Sequence, residues 1–573
     1  MKKLIFIITT VISLMTITSC DGMLEEVNYG NPTIEEVMSN PDNAVLLVGQ
    51  AYADIKWLHD HWGYWGVASL TSDECVNPVR NPGNHWADGG YWNALNNHTW
   101  NSKADAFKNI WNTTISGAVG CNKTLSTLKD YEGVIAPAVY SEYTCELETL
   151  RSYYFYMLFD CFGRIPYIEE FKEETKPLME PSEVWANLVN CLERTALSLP
   201  EVTDASRAQY YGRVTKGFAY ALLARLYLNA ESFGCTPEEV NKYLAEQNKI
   251  AGANDFYTKA AACCDKIMQS GAYSIESNFF TNFKIANESS RENIFVIVED
   301  GSSKDARSNG SMSDKLRVGM LTGHYCMQNT WSLVEKPWNG FCARPTFIDR
   351  YNKSDVRGPG NEGMGTKNEK QWGWFVGPIY DDKGEQAKDE NGLEANVTNS
   401  IQSLNDATWN DGARLLKYEY DKTGTYQYCE NDFVLFRYAD ILWMFEEAVL
   451  KGAAGFSSRR DSEDFRRMIG RAFAYSAEDL DGQVAAFYAA YPEAQLFTEQ
   501  GILDERGREF AWENIRRRDL IRCGKFGDSN YVQYVTSNDK YREWFPIPYS
   551  VLEKAVRDEN NQPIWTQNPG YTD

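Results

Sequence analysis

The sequence predicts a mostly α-helical protein, an irregular tetratricopeptide-like α-α superhelix with a loop-rich insertion and small β-hairpins. Three observations predict it. Long stretches in the first half and the last quarter repeat apolar residues at helical spacing. Residues 300–430 lose that period and hold 15 of the 41 Gly. The whole 573-residue chain is 43% hydrophobic and 24% charged, an ordinary globular balance with enough apolar surface for a large core.

The helical stretches follow in order. Residues 43–58 and 104–128 carry the first two patterns. Residues 140–162 carry the third, closed by Gly163 as a C-terminal cap. Residues 181–199 start on Pro181 and Ser182 and stop at Pro200. Residues 214–233 form the fifth, with Gly217, Ala221 and Ala224 permitting close helix contact. Residues 255–270 form the sixth. Paired helices of this length bury their apolar faces only against the next pair, which is the logic of a repeat scaffold. No strict 34-residue period is visible. Residues 294–298 read as a strand or extended segment, and the loops that follow are long enough to be functional rather than connecting. Helical patterns return at 434–450, 465–473 and 502–521. The last carries Glu505, Arg506, Arg508, Glu509, Glu513, Arg516, Arg517, Arg518 and Asp519, charges spaced to form ion-pair networks.

The N-terminus reads as an address. Lys2 and Lys3 precede a short apolar run, and Ile17-Thr18-Ser19-Cys20 then looks like a bacterial lipobox. Residues 1–19 would be the signal peptide, and Cys20 the acylated first residue of the mature chain. Several acyl chains anchor firmly where one binds marginally. Residues 21–31 read as an acidic, polar tether. The net charge of −23 repels phosphate backbones, so nucleic acid is not an expected partner. The cysteines show no CxxC spacing, and those within helical patterns read as small buried hydrophobes. A disulfide between Cys326 and Cys342, both in the loop-rich stretch, stays open.

Several motifs occur in a fixed order. Gly212-Arg213-Val214-Thr215 precedes Ala221-Leu222-Leu223-Ala224-Arg225. Arg437-Tyr438-Ala439-Asp440-Ile441-Leu442 is followed by Glu446-Glu447-Ala448. Glu505-Arg506-Gly507-Arg508-Glu509-Phe510 is followed by Asp519-Leu520-Ile521-Arg522. The tail holds Phe545-Pro546-Ile547-Pro548 and Gln567-Asn568-Pro569-Gly570-Tyr571, and residues 153–166 end a helix on a Gly-containing turn. With the lipobox, this ordered set resembles the SusD/RagB family of outer-membrane lipoproteins over nearly the whole mature chain. Trp443 and Phe445 depart from the smaller aliphatic residues common there, a matter of local packing.

The resemblance implies one SusD-like domain over 20–573. Residues 20–299 would be its N-terminal helical repeats, 300–430 its loop-rich ligand-facing part and 431–573 its C-terminal helices. It implies a cell-surface, lipid-anchored glycan-binding protein at the outer membrane, without catalysis. The implied partner is a SusC-like TonB-dependent transporter that the protein covers as a lid. Three other readings stay beside it: a lid of the same fold that captures peptide or glycoprotein, a surface glycosidase, and a scaffold whose aromatics only fill its core.

A sugar ring offers an apolar C–H face and a rim of hydroxyls. An exposed aromatic ring suits the face, and Asp, Asn or Arg suit the rim, with no metal or cofactor needed. Seven of the 17 Trp fall in residues 57–111 and five in 331–409. Trp57 and Trp111 sit on helical patterns and read as core, and Trp92 and Trp100 as partly buried. Trp86 lies in loop chemistry with Asn84 and Asp88 beside it, either a glycan platform or a loop anchor. Asp73, Glu74 and Arg80 lead into that loop, as hydroxyl partners or as local salt bridges. Trp331 and Trp338 flank a stretch ending in the turn at Asn339-Gly340. Trp372 and Trp374 share one face if their segment is extended, as platform or as hairpin packing. The candidate ligand-binding set is therefore Trp86, Trp331, Trp338, Trp372, Trp374, Asp73, Arg80, Asn84, Asp88 and Asn339.

Other motifs carry less. Gly358-Pro359-Gly360-Asn361-Glu362-Gly363 fits GxGxxG without the strand and helix a dinucleotide site requires. Residues 381–392 are acidic and Gly-containing but lack EF-hand spacing, and read as a solvated hairpin rather than a calcium site. His59 and His61 have no evident third metal ligand.

Overall fold

The computed structural model describes residues 33–82, 86, 88–299, 318–359, 372–422, 430–474 and 478–572. The signal peptide, Cys20, the tether, Asn84 and residues 360–363 of the GxGxxG motif lie outside them.

Short helices α1 (Ile34–Met38), α2 (Ala44–Gln50), α3 (Ala53–Leu58), α4 (Tyr64–Leu70) and α5 (Tyr91–Asn96) lead in. The single helix expected over 43–58 is thus two, separated at Ala51 and Tyr52. Five long helices follow: α6 (Asp105–Asp130), α7 (Pro137–Phe162), α8 (Pro181–Thr195), α9 (Lys216–Leu228) and α10 (Ala253–Ser270). Each packs on the next, the stacking expected of irregular helix repeats. Pro137 and Pro181 each stand in a first turn, where the missing N–H costs nothing. Gly163 ends α7 at φ 67°, and a Cβ there would meet the Trp544 ring at 2.6 Å. Gly217 is equally constrained, because a Cβ would lie 2.4 Å from the Tyr273 hydroxyl oxygen.

Strand β1 (Asn293–Ile297) leaves the repeats, and the insertion contributes α11 (Met327–Trp331) and strands β2 (Gly373–Phe375), β3 (Gly377–Pro378), β4 (Asn396–Val397) and β5 (Arg414–Leu416). β2 pairs antiparallel with β5, and β3 with β4. In the acidic segment, Asp381 Oδ1 accepts the N–H groups of Lys383 and Glu385, both at 2.9 Å. Asp389 Oδ1 does the same for Asn391 and Leu393. These carboxylates cap their own turns. Cys326 and Cys342 are free thiols in different apolar clusters, so they are not bridged.

The pattern at 434–450 divides into strand β6 (Phe433–Arg437) and helix α12 (Tyr438–Leu450). β6 pairs antiparallel with β1, and α12 packs on α10, so the chain beyond the insertion rejoins the repeats. Helix α13 (Glu463–Gly470) follows. The expected continuous helix over 502–521 is broken into α14 (Glu499–Phe510) and α15 (Arg516–Arg522). Trp512 and Asn514 adopt φ of 61° and 68° in the break. Such conformations cost non-glycine residues about 1–3 kcal/mol and persist only where surroundings fix them. Here the Trp512 N–H donates to Glu74 Oε2 at 3.0 Å, and its ring meets Trp65 and Trp374 edge-on at 5.4 and 5.7 Å. Asn514 bonds the His59 ring at 2.9 Å.

The charges on α14 and α15 form a buried network. Glu509 accepts from Arg437 (2.7 Å), Arg471 (2.8 Å) and Arg357 (2.7 Å). Asp440 on α12 joins Arg225 on α9 to Arg506 on α14, both at 2.8 Å. Asp519 receives Arg506 and Arg522, and Asp160 on α7 receives Arg517 and Arg518. Burial alone would push these carboxyls up. The guanidinium groups overcome it, holding Glu509 well below the usual carboxylate range and Asp519 at about 2. Among the described residues no guanidinium forms an ion pair with Glu74, and burial, outweighing the more distant Arg516 and Lys417, pushes its carboxyl up to about 8.

Two outcomes follow. Glu509→Gln leaves three guanidinium groups facing a neutral amide, and should destabilise the fold by about 3–5 kcal/mol in denaturant titration. Between the ordinary carboxyl value of about 4.3 and its folded value, Glu74 holds a proton that the unfolded chain has lost. Its contribution to stability therefore falls as pH rises from about 5 to about 8. Glu74→Gln should remove that slope when unfolding midpoints are compared across this range, and an unchanged slope would refute the assignment. Asp519 acts oppositely, its contribution being present above about pH 4 and lost as pH falls towards 2.

Candidate functional site

The stretch after α4 is held from both sides by the insertion. Val76 and Cys342 exchange backbone bonds at 2.9 Å, and Ala407 bonds Val79 and Asn81. Arg80, 1% exposed, donates to the carbonyls of Thr408 (2.7 Å), Asp411 (2.8 Å) and Gly340 (3.2 Å). Asp73, 0% exposed, is gripped by Arg516 at 2.7 Å and by Arg350. Burial alone would raise its carboxyl; these arginines hold it below the ordinary range. Both side chains were expected as partners of sugar hydroxyls. The structure corrects that expectation, since internal bonds occupy them and bury them. They position the loop that follows.

Trp86 emerges from this stretch at φ 56°, and Asp88 (φ 40°), Gly89 and Gly90 are left-handed as well. The Asp88 carboxylate accepts the Trp92 indole N–H at 2.5 Å, so Asp88 anchors the turn while remaining exposed. The Trp86 ring covers Gly340, where a Cβ would lie 2.9 Å from it, so this residue must be glycine for the ring to seat. Trp338 reaches the same place from the insertion, its N–H bonded to Met320 O at 2.7 Å. The two indoles meet edge-to-face at 4.8 Å and 75°.

This corner rests on buried rings. His61, Trp92 and Phe341 are 8%, 2% and 0% exposed. Trp86 lies 5.0 Å from Phe341 and stacks 5.8 Å from His61, and Trp338 meets His61 at 5.9 Å. Trp62 and Tyr91, stacked on each other at 5.1 Å, extend the assembly through Trp92. Trp62, Trp86, Tyr91 and Trp338 are half-buried. The result is a rim of partly exposed flat rings on a packed aromatic floor, suited to the C–H face of a sugar. The floor costs the rim little freedom on binding, because the rings are already held.

The other candidates lie elsewhere. Trp331 is buried and stacks on Tyr420 at 4.8 Å in a separate apolar cluster. Trp374 is 0% exposed in the main core. Trp372 is half-buried and stacks on Phe280 at 5.4 Å. Trp374 on β2 and Trp372 just before it are thus used in packing. Asn339 is 1% exposed at φ 54°, and neither atom of its amide finds a hydrogen-bond partner. Sequence reasoning missed Trp62 and Tyr91. The signal for Trp62 was its place just after the helical period ends at Leu58. Trp57, read as core, is half-buried.

Comparison with known proteins places the fold. A family model described as "Starch-binding associating with outer membrane" matches residues 67–228. A model described as "SusD family" matches residues 292–571. The chain is similar to the starch-binding protein SusD of Bacteroides thetaiotaomicron, 24% identical over 454 residues, 74% of this chain and 72% of that protein. Surface glycan-binding protein A from Bacteroides fluxus superposes with a TM-score of 0.66 at 19% identity, covering 92% of this chain and 99% of that one. Surface glycan-binding protein A from Bacteroides thetaiotaomicron, solved in complex with laminarihexaose, gives 0.64 at 18% identity, with 92% and 99% covered. With its ordered motifs, helix repeats and these matches from both halves, the chain belongs to the SusD family.

Proposed function

We propose that this protein is a cell-surface lipoprotein that captures an oligo- or polysaccharide on the Trp86–Trp338 corner and delivers it to a SusC-like TonB-dependent transporter. The observation that carries the reading is the rim of half-buried indoles on a fixed aromatic floor. Solved relatives of the same fold are described as glycan-binding, one of them bound to laminarihexaose, which supports a sugar as the ligand. Trp86 and Trp338 supply the platform, with Trp62 and Tyr91 extending it. Asp88, exposed beside the platform, would serve hydroxyls. Catalysis forms no part of the reading: the site binds and releases an intact chain.

The anchor is proposed at Cys20. Among the described residues no helix is long and apolar enough to cross a membrane. An acylated N-terminal cysteine would hold the protein at the outer membrane, where a transporter would meet it.

Affinity electrophoresis through gels containing starch, laminarin, xyloglucan or galactomannan tests the binding face. Trp86→Ala with Trp338→Ala should weaken retention on the bound polysaccharide about tenfold or more, the equivalent of roughly 1.4 kcal/mol. Equal retention of variant and wild type would remove the corner from the site, and soluble sugar released from the polysaccharide would favour a glycosidase. Cys20→Ala should move the protein from the membrane pellet to the soluble fraction. Affinity purification of the anchored protein from detergent-solubilised outer membrane should recover a TonB-dependent transporter.

A further inference from the structure

A groove of about 520 Å³ opens beside Trp62, between the α3 segment and helix α6. Its size is that of a small-ligand site. Two half-buried indoles line it, Trp57 and Trp62. Trp57 is not among the side chains packed on the main core, although its position on a helix suggested it would be. The opposite wall is one face of α6. Asn109, Asn112, Thr113 and Ser116 are spaced at i, i+3, i+4 and i+7 and so stand in register along the groove.

The walls are tied together. The Ser116 hydroxyl donates to Asp54 Oδ2 at 2.9 Å, joining α6 to α3. The Asn109 amide donates to the Trp62 carbonyl at 3.1 Å, fixing the turn that presents that indole. Asn112, exposed, lines the same wall. Asp54 and Asp60 also line the groove.

Each feature restricts the ligand. Flat indoles favour a flat apolar face. Amides and hydroxyls favour a ligand dense in hydroxyl groups. Two carboxylates in the lining disfavour uronic acids, sulfates and phosphates. Those conditions together describe a neutral sugar ring. We propose that the Trp57–Trp62 groove is a second carbohydrate subsite, taking a neutral hexose or pentose unit of a polysaccharide. The ligand class rests on the glycan-binding reading above; the location does not. Trp62 touches Trp92 at 4.6 Å, so the groove adjoins the aromatic floor of the first site. One polymer engaging both places would gain affinity through effective concentration, without any new contact at either.

The test uses four full-length proteins: wild type, Trp86→Ala/Trp338→Ala, Trp57→Ala/Asn112→Ala, and the combination. Each is run through gels of starch, laminarin, xyloglucan, galactomannan and polygalacturonate, with thermal melts confirming that each is folded. The Trp57→Ala/Asn112→Ala protein should lose about fivefold to tenfold in retention on the neutral polysaccharide that retards wild type, with polygalacturonate retarding neither. A retarded wild type with an equally retarded Trp57→Ala/Asn112→Ala variant would overturn the second subsite alone. Loss of retention in that variant but not in Trp86→Ala/Trp338→Ala would support the groove and overturn the first site. A wild type that no neutral gel retards would overturn both.

Discussion

The buried arginine–carboxylate network is the constraint on which this structure depends. Its members come from parts of the sequence that share no local reason to meet: Glu292 at the start of β1, Arg357 from the insertion, Arg437 at the end of β6, Arg471 after α13, and Glu509 on α14. Pairs of this kind are not strong net stabilisers, because desolvation offsets their attraction. Their value is directional. A guanidinium group shared by two or three carboxylates fixes distance and angle between the segments that carry them, and a misassembled arrangement leaves a bare charge in the core. The network thus specifies one way for the insertion and the C-terminal helices to close on the repeats.

The proposed binding face inherits that order. Asp73 is tied to Arg516 in α15, and Glu74 accepts from Trp512 in the break between α14 and α15. Arg80 fastens the following residues to carbonyls at positions 340, 408 and 411. The backbone that presents Trp86 is therefore located by the C-terminal helices on one side and by the insertion on the other. Residues that looked like ligand contacts serve as the mounting of the residue that does face outward.

Helices α6 to α10 were legible in the sequence as long apolar-rich runs with clear stops, although α7 and α9 are buried on nearly every face rather than on one stripe. The network was legible as a spacing of opposite charges on 502–521, although not the break within it. No Gly or Pro marks residues 511–515, and the left-handed turn at Trp512 is imposed by Glu74, Trp65 and Trp374, all remote in sequence. The β6–α12 boundary was hidden for a related reason, since a buried strand and a buried helix present the same unbroken apolar run. At the candidate site, loop chemistry singled out Trp86 and Trp338 as ligand candidates, and the structure leaves both half-buried at one corner. Burial of Trp331, Trp374, Asp73 and Arg80 depends on long-range contacts that no local pattern records. Trp57 failed in the opposite sense: a helical position says which residues share a face, not whether anything covers it.

Seating the Trp86 ring on Gly340 has a thermodynamic corollary. The two halves of the corner lie more than two hundred residues apart in the chain, so neither indole is a platform until the insertion has docked. A polysaccharide that bridges them recognises only the docked state. By linkage, a sugar chain bound there as proposed would favour the docked insertion by RT ln(1 + [L]/Kd). The protein would be most tightly assembled when loaded, and its empty form would carry the greater share of local opening.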